Sequence, residues 1–466
     1  MSAGVVGAYG PMLSPGFVEI SHNLGITVQI LSEATAWLIL CLGLVLFIAS
    51  PIAKILGRRP VFLGAIIIMF ATSVWGAAVR EYNSFLASRI VAGLGMAPYE
   101  VLVQCTIGDM YFVHQRATRI AVWNLFLLTG ISGGALIAGV IIDRDGYQWS
   151  FGVCAIFFGI LMFAVFFFVP ETAYKRPRPA ALKPPSTATS ANEDASKQGG
   201  AEENVQDVSQ TATSSDDAAT AEKKDIEGSV PAPAAVEKKH TYWQELRVFT
   251  GRYSYAPVWK IMLRPVVLLF YPAVMWGFLI YGTTITWIVV FSVVNARTFG
   301  GPPYNMTVSE IGLISLSPFI LTILAEVIAG PLNDWICITL TKKNKGVYEP
   351  EFRLPSMIIA LIFGICGFYG FGLTVHYQTH WSGPVLCFGF ANVSLVFCAT
   401  CVFGYVVDSY RSLNEEAFVA INARNILTFG LTYFVNNWLD SQGYLVVFCI
   451  LGSLFVGVCL LTIPLW

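Results

Sequence analysis

The sequence predicts an all-α membrane protein built as two six-helix bundles, and three observations carry that prediction. Hydrophobic residues make up 55% of the 466 and charged residues only 12%, with a mean hydropathy of +0.64, a balance in which charge is far scarcer than in a soluble domain. The apolar residues run in stretches long enough to cross a hydrocarbon core, which takes about 20 residues of helix. A single polar segment in mid-chain separates the earlier stretches from the later ones.

Taken in order, the full-length stretches are roughly 32–53, 60–79, 84–107, 118–142 and 150–170, then 264–294, 309–333, 355–376, 383–407, 417–438 and 443–465. Residues 1–20 hold glycines and prolines but no basic start and no cleavage site, so they read as a membrane helix whose front is missing, not as a signal peptide. That segment makes a twelfth span. From Tyr174 to about Lys239 the composition turns to Ala, Ser, Thr, Pro, Glu, Asp and Lys, which cannot bury enough apolar area to offset chain entropy. The expected organisation is therefore a bundle at 1–172, a largely disordered cytoplasmic linker at 173–256 and a second bundle at 257–466.

Lys54, Arg58 and Arg59, then Arg116 and Arg119, then Lys342, Lys343, Lys345 and Arg353, and finally Arg411 all fall in loops on one side. By the positive-inside rule that side is cytoplasmic. The opposite loops hold only Arg80, Arg144 and Arg297, together with the sequon Asn305-Met306-Thr307, an N-glycosylation acceptor usable only away from the cytosol. The expected location is the plasma membrane, with a vacuolar or other internal membrane as the alternative.

Several function classes are excluded. A net charge of -1 leaves no nucleic-acid footprint. Most of the ten cysteines lie inside apolar stretches without metal-site spacing. The chain has no P-loop, no nucleophile elbow and no soluble domain to hold one. No enzyme, cofactor or metal is expected; the expected partners are a small-molecule substrate, protons and the bilayer, with the chain a monomer. Without an ATPase, uphill movement of a solute must draw on an ion gradient, and the carboxylates inside the spans make protons the coupling ion.

The two halves share a short repeat: Ser50-Pro51-Ile52-Ala53-Lys54 after the second span and Gly330-Pro331-Leu332-Asn333-Asp334 after the eighth. With the following Gly57, Arg58 and Arg59, the first copy resembles the loop between the second and third helices of the major facilitator superfamily, although Ser50 and Lys54 stand where that pattern has glycine and aspartate. Arg89, Gly93 and Gly95 resemble the family's fourth-helix pattern, and Gly130 to Gly139 looks like a degenerate, proline-free form of the motif marking drug:proton antiporters. Trp149, Pro170-Glu171-Thr172 and the loop from Glu349 to Leu354 are most like fungal members of that branch. The resemblance implies a major facilitator fold, alternating access and a cytoplasmic gate at Gly57, Arg58, Arg59 and Asp334.

An ionisable side chain in mid-membrane is costly unless paired or wetted. Glu100 follows Arg89 by eleven residues, three turns plus about 20° at about 100° per residue, which puts both on one helix face, and Gln104 extends that polar stripe. Glu100 reads as a proton-carrying or cation-binding carboxylate, or as a structural hydrogen bond to backbone loosened by Pro98. Arg89 reads as its relay partner or as an interfacial anchor. Glu326 is the second such acid, facing the cavity or packing between helices. Tyr281, Thr284 and Trp287 in the seventh span and Asn392 in the tenth are substrate contacts or packing. Arg424, beginning the eleventh span near the cytoplasm, is a gate salt bridge or a snorkelling anchor. The function this supports is proton-coupled efflux of a drug, toxin or secondary metabolite. Uptake of a polyamine or other cation, and a non-transporting receptor or truncated product, stand as alternatives.

Overall fold

The computed structural model describes residues 2–111, 113–172, 246–247, 249, 251–253, 257–410 and 413–466. The expected linker at 173–256 lies almost wholly outside the described residues, as do Arg411 and the side chain of Arg116.

The described chain is helical. The expected first span is short and broken: α1 (Ser2–Tyr9) gives way to a 3₁₀ turn at Ser14–Gly16 and then α2 (Phe17–Leu24), with Pro15 in the first positions of that turn. Thr27 then caps α3 (Val28–Leu56) by accepting from the Ile30 amide at 3.4 Å. Next come α4 (Arg58–Ala78), α5 (Tyr82–Met110), α6 (Val113–Asp145) and α7 (Tyr147–Phe168). The later part comprises α8 (Val258–Leu269), α9 (Pro272–Gly300), α10 (Val308–Ile314), α11 (Leu316–Lys343), α12 (Met357–His376), α13 (Ser382–Ser409), α14 (Asn414–Asn422) and α15 (Asn425–Leu460). Pro272 starts α9 at a position where its missing N–H costs nothing. Thr307 and Glu310 cap α10 reciprocally, each side chain on the other's backbone amide.

Ten helical segments are long and apolar enough to cross a membrane among the described residues. The last, from Asn414 to Leu465, contains Gly443 at φ 77°, ψ 167°. That break divides α15 into the expected eleventh and twelfth spans: Asn436 before it bonds Ser32 of α3, and Phe448 and Phe455 after it pack on Gly372 and Gly364 of α12. Such helices are apolar all round, as expected of lipid-facing spans. In α7 only 22% of the apolar window is buried, and Ile156, Ile160 and Phe163 are exposed.

Small residues set the helix approaches, because lipid gives apolar side chains no reason to leave it and van der Waals packing must hold the helices together. A Cβ on Gly130 of α6 would lie 2.2 Å from the Gly4 carbonyl oxygen of α1, and one on Gly139 would lie 2.6 Å from the Gly312 Cα of α10. A Cβ on Gly43 of α3 would lie 2.8 Å from the Asn425 Cβ of α15. The last two contacts join the earlier part of the chain to the later part.

Candidate functional site

Between the earlier and later helices lies a cavity of about 140 Å³, lined from α1, α3, α5 and α6 on one side and from α9, α13 and α15 on the other. Its wall is mainly aliphatic, with Leu38, Leu42, Leu127, Ile131, Ile285 and Ile288 among the contributors. Against that wall stands one ionic group. Glu100, two residues past Pro98 on α5, accepts a short hydrogen bond from Arg424 Nη2. Asn425 Nδ2 donates to the other carboxylate oxygen at 3.3 Å, and Arg424 Nη1 donates to Asn425 Oδ1 at 2.8 Å. The three side chains form a closed ring across the cavity wall. Below it the Tyr281 ring lies 4.8 Å from the guanidinium carbon, a cation–π distance.

Arg424 owes this place to a break in the backbone. The helix starts at Asn414 and pauses at Ala423 and Arg424 before resuming at Asn425, which carries Arg424 well inside the fold with its side chain 4% exposed. It lines the cavity.

Arg89 does not share the surroundings of Glu100. Eleven residues of helix separate the two by roughly 16 Å along the axis, so a common face does not mean contact. Arg89 is buried among Tyr9, Phe85 and Phe151, 5.1 to 5.5 Å from their ring centroids, and donates to the Tyr9 carbonyl at 3.2 Å. It braces α1 against α5 and α7. Glu326 on α11 accepts a short hydrogen bond from Asn124 of α6, again a contact between early and late helices, but outside the cavity lining. Gln104, Thr284 and Trp287 are buried and are not among the residues that line this cavity, and Tyr281 lies against Arg424. Thr284 donates to the Ile280 carbonyl at 2.7 Å, within its own helix. Asn392 does line the cavity.

The lysine- and arginine-rich helix ends carry a second constellation. Lys54 Nζ lies 2.7 Å from Glu416 and 3.7 Å from Glu415; Arg58 Nη2 lies 3.4 Å and Ser50 Oγ 3.0 Å from Glu415; and Arg264 Nη1 lies 3.7 Å from Glu416. Gly57, at φ +98°, leaves room for the Glu171 carboxylate, which accepts from the Arg58 and Arg59 amides at 3.0 and 3.2 Å. A Cβ there would meet Glu171 at 2.4 Å. Arg59 Nη2 donates to the Phe166 carbonyl at 2.8 Å. Asp334, at the repeat position equivalent to Lys54, instead meets Arg353 at 3.7 Å, and Arg353 Nε donates to Asp408 at 2.7 Å. Tyr348 joins that cluster by donating to Asp408 at 2.5 Å; burial and the adjacent carboxylate push its phenol well above the ordinary tyrosine range. The residue reading missed Glu415, Glu416 and Arg264. A double acid opening the span after Arg411 is the signal that could have pointed to a partner for Lys54.

Comparison with known proteins agrees with this architecture. An uncharacterized MFS-type transporter of Schizosaccharomyces pombe is 23% identical over 436 residues, covering 91% of this chain and 74% of the relative. The probable efflux pump mfs2 of Aspergillus flavus is 22% identical over 450 residues, covering 96% of this chain and 95% of the relative. Among solved structures, the proton:xylose symporter XylE superposes with a TM-score of 0.59 at 14% identity, covering 98% of this chain and 92% of that one, a likeness of fold. Residues 1–431 match the family profile of the Major Facilitator Superfamily, and the chain is a multi-pass membrane protein that belongs to that transporter family.

Proposed function

We propose that the chain is a secondary carrier that moves a small organic compound outward across its membrane by alternating access, in exchange for protons, with the central cavity as the solute site. One observation carries this reading: a buried ion pair, Glu100 with Arg424, joins an early helix to a late one at the wall of an otherwise aliphatic cavity. Rocking of the bundles at 1–172 and 257–466 separates or reunites the pair, and protonation of Glu100 removes its attraction for Arg424, so proton occupancy and conformation are linked. The outward direction is supported by the relative named as a probable efflux pump. The cation-uptake alternative loses ground because the cavity's carboxylate is already engaged by an arginine and an amide.

Flux in proteoliposomes tests the reading. A fungal-toxin panel is expected to show accumulation driven by an imposed pH gradient, and Glu100→Gln is expected to remove the gradient-driven component by at least about tenfold, the equivalent of 1.4 kcal/mol. Retention of full pH-dependent flux by Glu100→Gln sinks the coupling role.

The reading also includes a place at the plasma membrane and a glycan at Asn305. The side chains of Asn305 and Thr307 are exposed in the loop before α10. An electrophoretic shift on glycosidase treatment, absent in Asn305→Gln, is the expected result; identical mobility before and after treatment removes the glycan from the proposal.

A further inference from the structure

The chemistry of the cavity narrows the solute. Both carboxylate oxygens are engaged there: Glu100 Oε1 takes Arg424 and Oε2 takes the Asn425 amide. Three of the lining hydroxyls are committed within the protein. Ser292 donates to the Ile288 carbonyl at 3.1 Å, Ser14 to the Pro11 carbonyl at 2.7 Å, and Thr428 shares a hydrogen bond with Thr286 at 2.7 Å. What these groups still offer is neutral oxygen, a weak acceptor.

Donors are in surplus. A guanidinium has five N–H groups and no acceptor. Glu100 and Asn425 take two of them on Arg424, and Tyr281 lies against it with its ring and bonds it with its hydroxyl, which leaves Nη hydrogens on a side chain that lines the cavity. The polar end of the cavity is thus suited to an acceptor, and the remainder to hydrocarbon.

Net charge decides which acceptor. Glu100 and Arg424 cancel, so the lining is neutral apart from that pair. A polyamine brings several positive charges to a site whose one carboxylate is occupied, and each charge loses its hydration without a partner. A carboxylate solute has to displace Glu100 from Arg424 and leaves the site net negative. A ketone, ester or lactone carbonyl does neither. The volume of about 140 Å³ is close to the roughly 150 Å³ of an apolar protein cavity known to hold benzene. That space therefore admits about one ring.

We infer that the solute is an uncharged, largely apolar molecule with a single hydrogen-bond-accepting end, a carbonyl, directed at Arg424, and that the part held in this space is about the size of one six-membered ring. The inference rests on the reading of the cavity as the solute site.

Four probes of matched size or rejected charge test it on the full-length protein in nanodiscs, read by saturation-transfer NMR and by thermal shift: acetophenone, benzoate, benzylamine and spermidine. Acetophenone is expected to bind saturably and at least about tenfold more tightly than the other three, a margin of about one decade in Kd. The double variant Glu100→Gln with Arg424→Leu, which keeps the site neutral, is expected to weaken acetophenone by a similar factor. Absence of saturable acetophenone binding, an equal or tighter Kd for any charged probe, or indifference to the double variant overturns the assignment. Leu128→Trp, which fills the cavity, separates the two levels of failure. If it abolishes probe binding while the order of affinities is wrong, only the solute class fails; if acetophenone still binds, the cavity is not the site and both readings fall.

Discussion

Arg424→Leu is expected to destabilise the folded protein by about 3–5 kcal/mol, the cost of leaving a buried carboxylate without its cation. The magnitude follows from the enclosure of the pair, whose side chains are 4% and 14% exposed, and from the geometry of the ring that Asn425 closes. Adding Glu100→Gln to that variant is expected to restore most of the loss, because the stranded charge disappears and the remaining amide can bond to Asn425. The same logic makes Glu100→Gln alone costly, since a buried guanidinium is then left facing a neutral partner. Thermal unfolding in detergent of the wild type, both single variants and the double variant completes a mutant cycle. A coupling energy near zero between positions 100 and 424 is the result that contradicts the pair.

The second large effect lies at the other constellation. Lys54→Glu places a third acid beside Glu415 and Glu416, where Lys54 now makes its closest contact at 2.7 Å. Because Lys54 is 25% exposed, solvent screening reduces the cost, and about 1–2 kcal/mol against the closed contact is expected. That is enough to lower the transport rate roughly tenfold at fixed solute, since tenfold corresponds to 1.4 kcal/mol. Reversing the partner as well, Lys54→Glu with Glu416→Lys, is expected to recover most of the rate. Equal flux in the single and the exchanged variants counts against an ionic contact holding these helix ends together.

These two constellations show what could and could not be read in advance. Helices were legible because their cause is local: only a helix satisfies its own backbone in lipid, so apolar stretches of sufficient length declare themselves, and Gly443 lies at the boundary expected between the last two spans. Glu100 was legible as an acid in an apolar helix. Its partner was not, because Arg424 is 324 residues away in sequence and helical periodicity reports direction around an axis but not height along it. That same limit produced the pairing with Arg89. Arg424 reads as a helix-end residue from sequence because the break after the short helix at Asn414–Asn422, which brings it to the cavity, has no glycine or proline to announce it. Lys54 stood out as a departure from the family pattern, yet the compensating acids, Glu415 and Glu416, lie in the other half of the chain. Reversal of one sign was visible; reversal of both required the fold. Gln104, Thr284 and Trp287 were polar or aromatic in an apolar helix, a description that fits a packed interior as well as a lined cavity.

Gly139 and Gly312 meet backbone to backbone, whereas the contact at Lys54 and Arg58 is made by charges. The two ends of the molecule therefore answer to different features of their surroundings. Parting bare glycine backbones breaks no ion pair, so ionic strength has little purchase there. Parting the charged end exposes partners whose attraction falls within a Debye length of about 8 Å at physiological salt. If the carrier alternates as proposed, the composition of the solution on the lysine-rich side is expected to shift the balance between conformations more than the same change on the opposite side.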